Sequence, residues 1–321
     1  MPLLASQYNP PLLFKNGHFS TIYAGLVRRV NGLNPKRERL KLLDGDFIDM
    51  DWCYTSSKTH KLIILLHGLE GNSDRPYVQG SAKTFNQAGY DAVIINFRSC
   101  SGEPNLLYKS YHSGASEDLE AIIEHILSHY NYNAIVIKGF SLGGNVTLKY
   151  LGERTKIPSQ IKAGIAISVP CYLYGSMLRL HSSNNILYAQ RFKKHLLEKL
   201  RWKQKKFPEL VSDQDIKNIH TLKDFDDFYT SKAHGFKNAL DYYEKCSSLQ
   251  FLHEIKTPAF ILNAKNDSFL SKECFPVKEA KENPYIHLEI SKYGGHVGFY
   301  DTNNIYYNEK RALEFVNSLN I

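Results

Sequence analysis

Short apolar runs alternating with amphipathic stretches constrain this chain more than any other feature. Leu62 to Leu66, Ala92 to Ile95, Ala134 to Ile137, Ala163 to Ile167 and Ala259 to Leu262 are brief and rich in apolar or β-branched residues. Such runs are the signature of strands buried on both faces of a parallel sheet. Between them, Leu119, Ile122, Ile123, Ile126, Leu127 and Tyr130 recur at the spacing of one helix face, which predicts a helix starting near Ser116. Leu142, Val146 and Tyr150 predict a second helix after Ser141. Strand and helix in turn make an α/β chain with a mostly parallel sheet flanked by helices.

From Val169 to about Gln250 the strand pattern stops, and the chain reads as helical, polar and basic. An insertion there is expected to cap the carboxyl edge of the sheet, where ligands bind in open α/β sheets. The organisation expected is a core over 1–169 with an N-terminal wrapping segment, a helical cap insertion over 170–250, and the rest of the core over 251–321. With 43% apolar and 22% charged residues, disorder and a disulfide-stapled mini-fold are excluded. Apolar runs fall far short of the ~20 residues of a membrane-spanning helix. Before Lys15 there is no basic residue, and Gln7, Pro10 and Pro11 interrupt the apolar stretch, which argues against a signal peptide. The five cysteines include no C-x-x-C pair, so neither a disulfide framework nor a zinc site is suggested. A cytoplasmic protein is expected.

The net charge of +8 raises the question of anionic partners. Most of the excess lies between Gln190 and Lys206, with eight basic residues and one acidic, Glu198. Phe192, Leu196, Leu197, Leu200 and Trp202 recur there near helical spacing. The run Arg191 to Lys206 therefore either touches an anionic membrane peripherally or packs its apolar stripe on the core with its charges solvated. Nucleic acid is not an expected partner.

Chemistry centres on Gly139-Phe140-Ser141-Leu142-Gly143. G-x-S-x-G is weak alone, but here a predicted strand precedes Ser141 and a predicted helix follows it. That context makes Ser141 the residue of a nucleophile elbow, with its hydroxyl exposed above the sheet. A serine needs an imidazole to take its proton, and the imidazole needs an acid to hold its tautomer. On this architecture the order is Ser, acid, His. Asp267 follows PAFILNAKN and His296 follows IHLEISKYGG, each just after a strand-like run, and these two are the expected acid and base. Asp224, Asp226, Asp227 and Asp301 fit the order less well. In His67-Gly68-Leu69-Glu70-Gly71, the Leu69 N–H is the expected oxyanion donor, together with the Leu142 N–H. The His67 side chain itself is expected to make only a structural hydrogen bond.

Across NGHFSTIY, HGLEGNSDRPY, FRSCSGEPN, YHSGASEDL, GFSLGGN, FDDFYTSKAHGF, NAKNDSF and YGGHVGF, nearly the whole chain resembles the YheT-like group of α/β-hydrolases. The resemblance implies the α/β-hydrolase fold, a Ser141–His296–Asp267 triad and hydrolysis of carboxylic esters, with lipid esters among the substrates of some relatives. It implies no metal or organic cofactor. Two departures stand out: Asn266-Asp267-Ser268 where the group carries Asp-Asp-Pro, and Arg98-Ser99-Cys100 where it carries Arg-Gly-Cys. Some relatives are discussed as acyltransferases on a His-x4-Asp pattern. Here His112 meets Glu117 at that spacing and Asp118 one residue later, and the stretch reads as helix-start chemistry. An acyltransferase using the same triad is the nearest alternative function, and a membrane-binding protein with incidental esterase activity the more distant one. His18 is expected to make a structural hydrogen bond.

Overall fold

The computed structural model describes residues 3–321. Nine strands, β1 Leu3–Leu4, β2 Lys36–Lys41, β3 Phe47–Cys53, β4 Lys61–Leu66, β5 Asp91–Asn96, β6 Ala134–Phe140, β7 Ile161–Ile167, β8 Ala259–Ala264 and β9 Ile286–Ser291, build one sheet. Their order is β1-β9-β8-β7-β6-β4-β5-β3-β2. Every neighbouring pair from β1 to β5 in that order is parallel, while β3 runs antiparallel to both β5 and β2. The five apolar runs are thus β4 to β8, and they fill the centre of the sheet.

Alternation along β4 shows why these strands had to be apolar on both faces. Leu62, Ile64 and Leu66 join one core with Leu119, Ile122 and Ile126, and Ile63 and Leu65 join the other with Val78 and Phe85. The first set of partners lies on the helix Ser116–His129, which begins where the spacing predicts, and the second on the helix Pro76–Gln87. Two further helices matter for the site, Gly17–Ile22 near the N-terminus and Leu142–Glu153 after β6. Between β7 and β8 the chain is helical, including Leu173–Leu180, the long Ile186–Lys206 and Ala239–Cys246.

The sequence reading missed the β2–β3 ribbon. β3 reads FIDMDWC, and its Asp49 and Asp51 are buried. Arg39 and Arg37 of β2 each grip one of them through two hydrogen bonds of 2.8–2.9 Å. A buried carboxylate held by a two-pronged guanidinium satisfies its charge inside the fold, so the ribbon hides behind a polar composition. Among the described residues no helix is long and apolar enough to cross a membrane.

Candidate active site

β6 ends at Phe140, the helix Leu142–Glu153 starts at Leu142, and Ser141 is the single residue between them. Its φ of 52° and ψ of −118° lie where L-residues pay strain, as a nucleophile elbow requires. The flanking glycines are forced by space. A Cβ on Gly139 would strike the Gly143 carbonyl, and one on Gly143 would strike the Leu66 and His67 carbonyls. The Ser141 N–H donates to the Ile167 carbonyl at 2.9 Å, tying the turn to β7.

Asp267 and His296 are brought together from the loops after β8 and β9. His296 Nδ1 donates to Asp267 Oδ2 at 2.8 Å, and the other carboxylate oxygen, Oδ1, accepts the Phe269 N–H at 2.9 Å. Both residues are buried, and the Phe269 ring sits 4.4 Å from the imidazole, centre to centre. The His loop is held by residues the sequence reading did not assign: Thr21 Oγ1 accepts the His296 N–H at 2.8 Å, and Ser168 Oγ accepts the Val297 N–H at 2.9 Å. Gly295 approaches Gly17 so closely that a Cβ would strike the Gly17 carbonyl. The NGHFSTIY stretch thus buttresses the histidine, and His18 within it meets the Tyr188 hydroxyl at 3.2 Å. Ser141 and His296 line one cavity, with no hydrogen bond between Ser141 Oγ and the imidazole. Such contacts are often long in the absence of substrate. The rival acids are engaged otherwise: Asp226 also lines this cavity but accepts from Tyr243 and Thr230, Asp224 caps a short helix at Thr221, Asp227 pairs with Lys223, and Asp301 with Lys310.

His67 is fully buried, with Nδ1 donating to the Gly68 carbonyl at 2.7 Å and Nε2 accepting the Phe97 N–H at 3.2 Å. Burial pushes its pKa down to about 3, so it is a neutral structural residue. The following loop comes close to the elbow, a Cβ on Gly68 falling 3.2 Å from Ser141 Cβ. Glu70, at φ 53°, is locked in place from several sides. Its N–H donates to the Tyr111 hydroxyl at 2.9 Å, and Tyr111 donates back to Oε1 at 2.6 Å. Arg75 donates to its carbonyl at 2.7 Å, and Lys199 reaches in to Oε1 at 2.9 Å.

Lys199 belongs to the helix Ile186–Lys206, whose basic run therefore divides between two faces. Leu196, Leu197 and Leu200 pack with Phe225 and Tyr229. Lys203 is buried, donates to the Asn105 and Leu107 carbonyls, and has its pKa lowered to about 8 by burial. Arg191, Lys194, Arg201, Lys205 and Lys206 stay exposed. Tyr188, Phe192 and Leu196 of this helix line the cavity above Ser141, about 420 Å³ in volume, with Leu173, Met177 and Leu180 beside them.

A family model described as the alpha/beta hydrolase fold matches residues 61–274. The chain is 31% identical to the Escherichia coli protein named "Putative esterase YheT", over 92% of this chain and 87% of that one. The chain belongs to the YheT-like α/β-hydrolases. It is also similar to human phospholipase ABHD3, 28% identical over 93% of this chain and 75% of that protein, and to human monoacylglycerol lipase ABHD2, 27% identical over 99% and 81%. Among solved structures, Pyrococcus furiosus esterase Pf2001 shares the fold, with a TM-score of 0.61 and 19% identity over 92% of this chain and 97% of that one.

Both departures of this YheT-like chain from the group pattern have local explanations. Asn266 donates to the Lys15 carbonyl and accepts the Gly295 N–H, both at 3.0 Å; an aspartate could not donate. Ser268 donates to Asn185 Oδ1 at 2.7 Å, linking the acid loop to the insertion. Ser99 sits at φ 62°, a conformation that favours glycine, and its Oγ accepts the Asn105 N–H at 3.2 Å. Asp118 turns to Arg98, at 2.7–2.8 Å over two bonds, and makes no cap; Glu117 faces His112 at 3.4 Å. Both acids stand in the first turn of the helix Ser116–His129, as the helix-start reading expects, but neither makes a side-chain cap.

Proposed function

We propose that this chain is a serine hydrolase of carboxylic esters, acting on lipid esters through an acyl-enzyme, with residues 170–250 as the cap of its site. One observation carries the reading: Asp267 anchors Nδ1 of His296, leaving Nε2 without a partner among the described residues, and His296 lines the cavity that also holds Ser141 at its elbow. His296 Nε2 takes the Ser141 proton as Oγ bonds to the ester carbonyl carbon. The carbonyl oxygen becomes an oxyanion and accepts from the Leu69 and Leu142 N–H groups. Collapse of this intermediate breaks the C–O bond, and His296 returns its proton to the departing alcohol. Water, deprotonated by the same nitrogen, then releases the acid and restores Ser141. Asp267 keeps Nδ1 protonated and stabilises the imidazolium throughout.

Support for a lipid ester comes from the apolar lining, Leu173, Met177, Leu180, Phe192 and Leu196 among it, and from relatives named phospholipase and monoacylglycerol lipase. A lipid ester is met at a membrane, so the reading includes peripheral contact with an anionic surface, toward which the basic run offers its outward residues. The five cysteines are buried free thiols, in keeping with a reducing, cytoplasmic setting. A fluorophosphonate probe and esters of graded acyl length test the proposal. Ser141→Ala is expected to abolish labelling and to cut turnover by about 10⁶-fold. Equal labelling of the variant would sink it.

A further inference from the structure

Exposed apolar side chains are unevenly spread. Of seventeen large hydrophobic residues that stand exposed among the described residues, Leu12, Leu13, Phe19, Ile22, Leu26 and Val27 fall within sixteen consecutive positions. Leu12 is 81% exposed and Leu13 68%. Scattered apolar residues on a surface are ordinary, whereas a contiguous patch marks an interaction site. These belong to one short segment folded on itself: Phe14 joins the turn Leu12–Lys15 to the following helix through Phe19 and Tyr23, ring centres 5.2 and 5.0 Å apart.

The patch lies at the mouth of the cavity. Ile22, Leu26, Leu187 and Arg191 line the cavity and are also exposed, Leu187 by 77%. His18 and Tyr188 join the N-terminal helix to the helix Ile186–Lys206 at this place. The chain segments that build it carry charge of one sign, and Asp301, next to the Tyr300 ring stacked on Phe14, is paired with Lys310. No Asp or Glu occurs over 1–37 or over 154–197, the two stretches that build this rim. Arg29, Arg191 and Lys194 are exposed there, and none of them joins an ion pair among the described residues.

We propose that this rim docks on the surface of an anionic lipid bilayer, with Leu12, Leu13, Phe19, Val27 and Leu187 at the acyl boundary and Arg29, Arg191 and Lys194 among the head groups. The proposal rests on the lipid-ester reading and moves the membrane contact from the basic run as a whole to the cavity mouth. Two features choose a bilayer over a protein partner. A protein on this rim would seal the opening that lies inside it, whereas a bilayer supplies the substrate through it. Apolar side chains ringed by unpaired cations also match the layered chemistry of acyl boundary and anionic head group.

The test is co-sedimentation of the full chain with phosphatidylcholine vesicles containing phosphatidylglycerol. Wild type is expected to sediment with them at low salt, more weakly with phosphatidylcholine alone, and less as salt shortens the electrostatic reach to ~8 Å. Leu12→Asp with Leu13→Asp is expected to lower the bound fraction by about tenfold, from lost apolar area and added negative charge. That variant should turn over a short soluble ester as wild type does. Binding is also read with Ser141→Ala, so a failure of the esterase reading leaves this measurement intact. The proposal is overturned if wild type stays in the supernatant at low salt or if the double variant binds equally well. It is overturned too if sedimentation velocity shows a dimer that the double variant breaks, since the rim would then join two copies.

Discussion

His67 and His296 stand at the same carboxyl edge of the sheet, each next to a glycine, and the fold uses them in opposite ways. Both ring nitrogens of His67 are committed to the backbone, and the residue has no exposed surface. Among the described residues His296 commits only Nδ1, to Asp267, and it lines the cavity. A histidine held at both nitrogens cannot move a proton without breaking the fold. One held at a single nitrogen has its tautomer fixed and its other nitrogen free for chemistry.

The comparison breaks most sharply at Asp267. In Asp267→Asn the side-chain carbonyl can still accept the Phe269 N–H, which turns the amide toward His296. Nδ1 must then accept, the ring proton moves to Nε2, and the base is lost in the wrong tautomer. The expected fall in kcat is about 10⁴-fold with the fold intact, read by ester turnover alongside circular dichroism. The matching change at the other histidine, His67→Asn, is expected to leave turnover per folded molecule within several-fold of wild type. If the two variants lost activity equally, the division of labour between the histidines would be wrong.

A smaller effect is expected at Lys199, which reaches from the insertion into the loop that follows His67. Its Nζ meets Glu70 Oε1 at 2.9 Å, one residue beyond the Leu69 N–H that the proposed mechanism assigns to the oxyanion. Glu70 is 4% exposed in its side chain, so Lys199→Met strands a buried carboxylate. Losing one partner of a buried pair costs about 3 kcal/mol, and the loop is expected to relax away from the oxyanion position. A loss of one oxyanion donor costs about 10²-fold in kcat, and a loosened one should cost less, roughly tenfold, with KM little changed. Lys199→Arg should recover most of it. A variant that lost stability but kept kcat would make Lys199 a purely structural residue.

What could be read in advance follows from how local the signal is. Strands β4 to β8 announce themselves because each is apolar on both faces. Ser141, Asp267 and His296 sit where strand ends and chain order put them, so short windows locate all three candidates. Thr21 and Ser168 are different. Each supports the His loop across 275 and 129 residues of separation, and nothing near either residue in the sequence points to its partner. The same holds for Lys199, one lysine among eight basic residues, whose inward direction depends on where the insertion lands. β3 stayed hidden because the acids on it are neutralised by arginines of another strand.

The last expectation sharpens the contrast through pH. Burial lowers the folded-state pKa of His67 to about 3, against an ordinary value near 6.5. Between those values the unfolded chain carries a proton that the folded chain lacks. Stability therefore falls as pH drops through this window, by about 1.4 kcal/mol per pH unit for one such histidine. His234, lowered to about 3 mainly by burial, adds to the slope in the same direction. His67→Asn keeps one donor and one acceptor for Gly68 and Phe97 but has nothing to protonate. At pH 7 it should be less stable than wild type by about 1–3 kcal/mol, through poorer hydrogen bonds. As pH falls toward 4.5 the gap should narrow or reverse, because only wild type carries the His67 penalty. Denaturant midpoints across this range decide the matter: parallel curves for the two proteins would mean that His67 takes up its proton as easily in the fold as outside it.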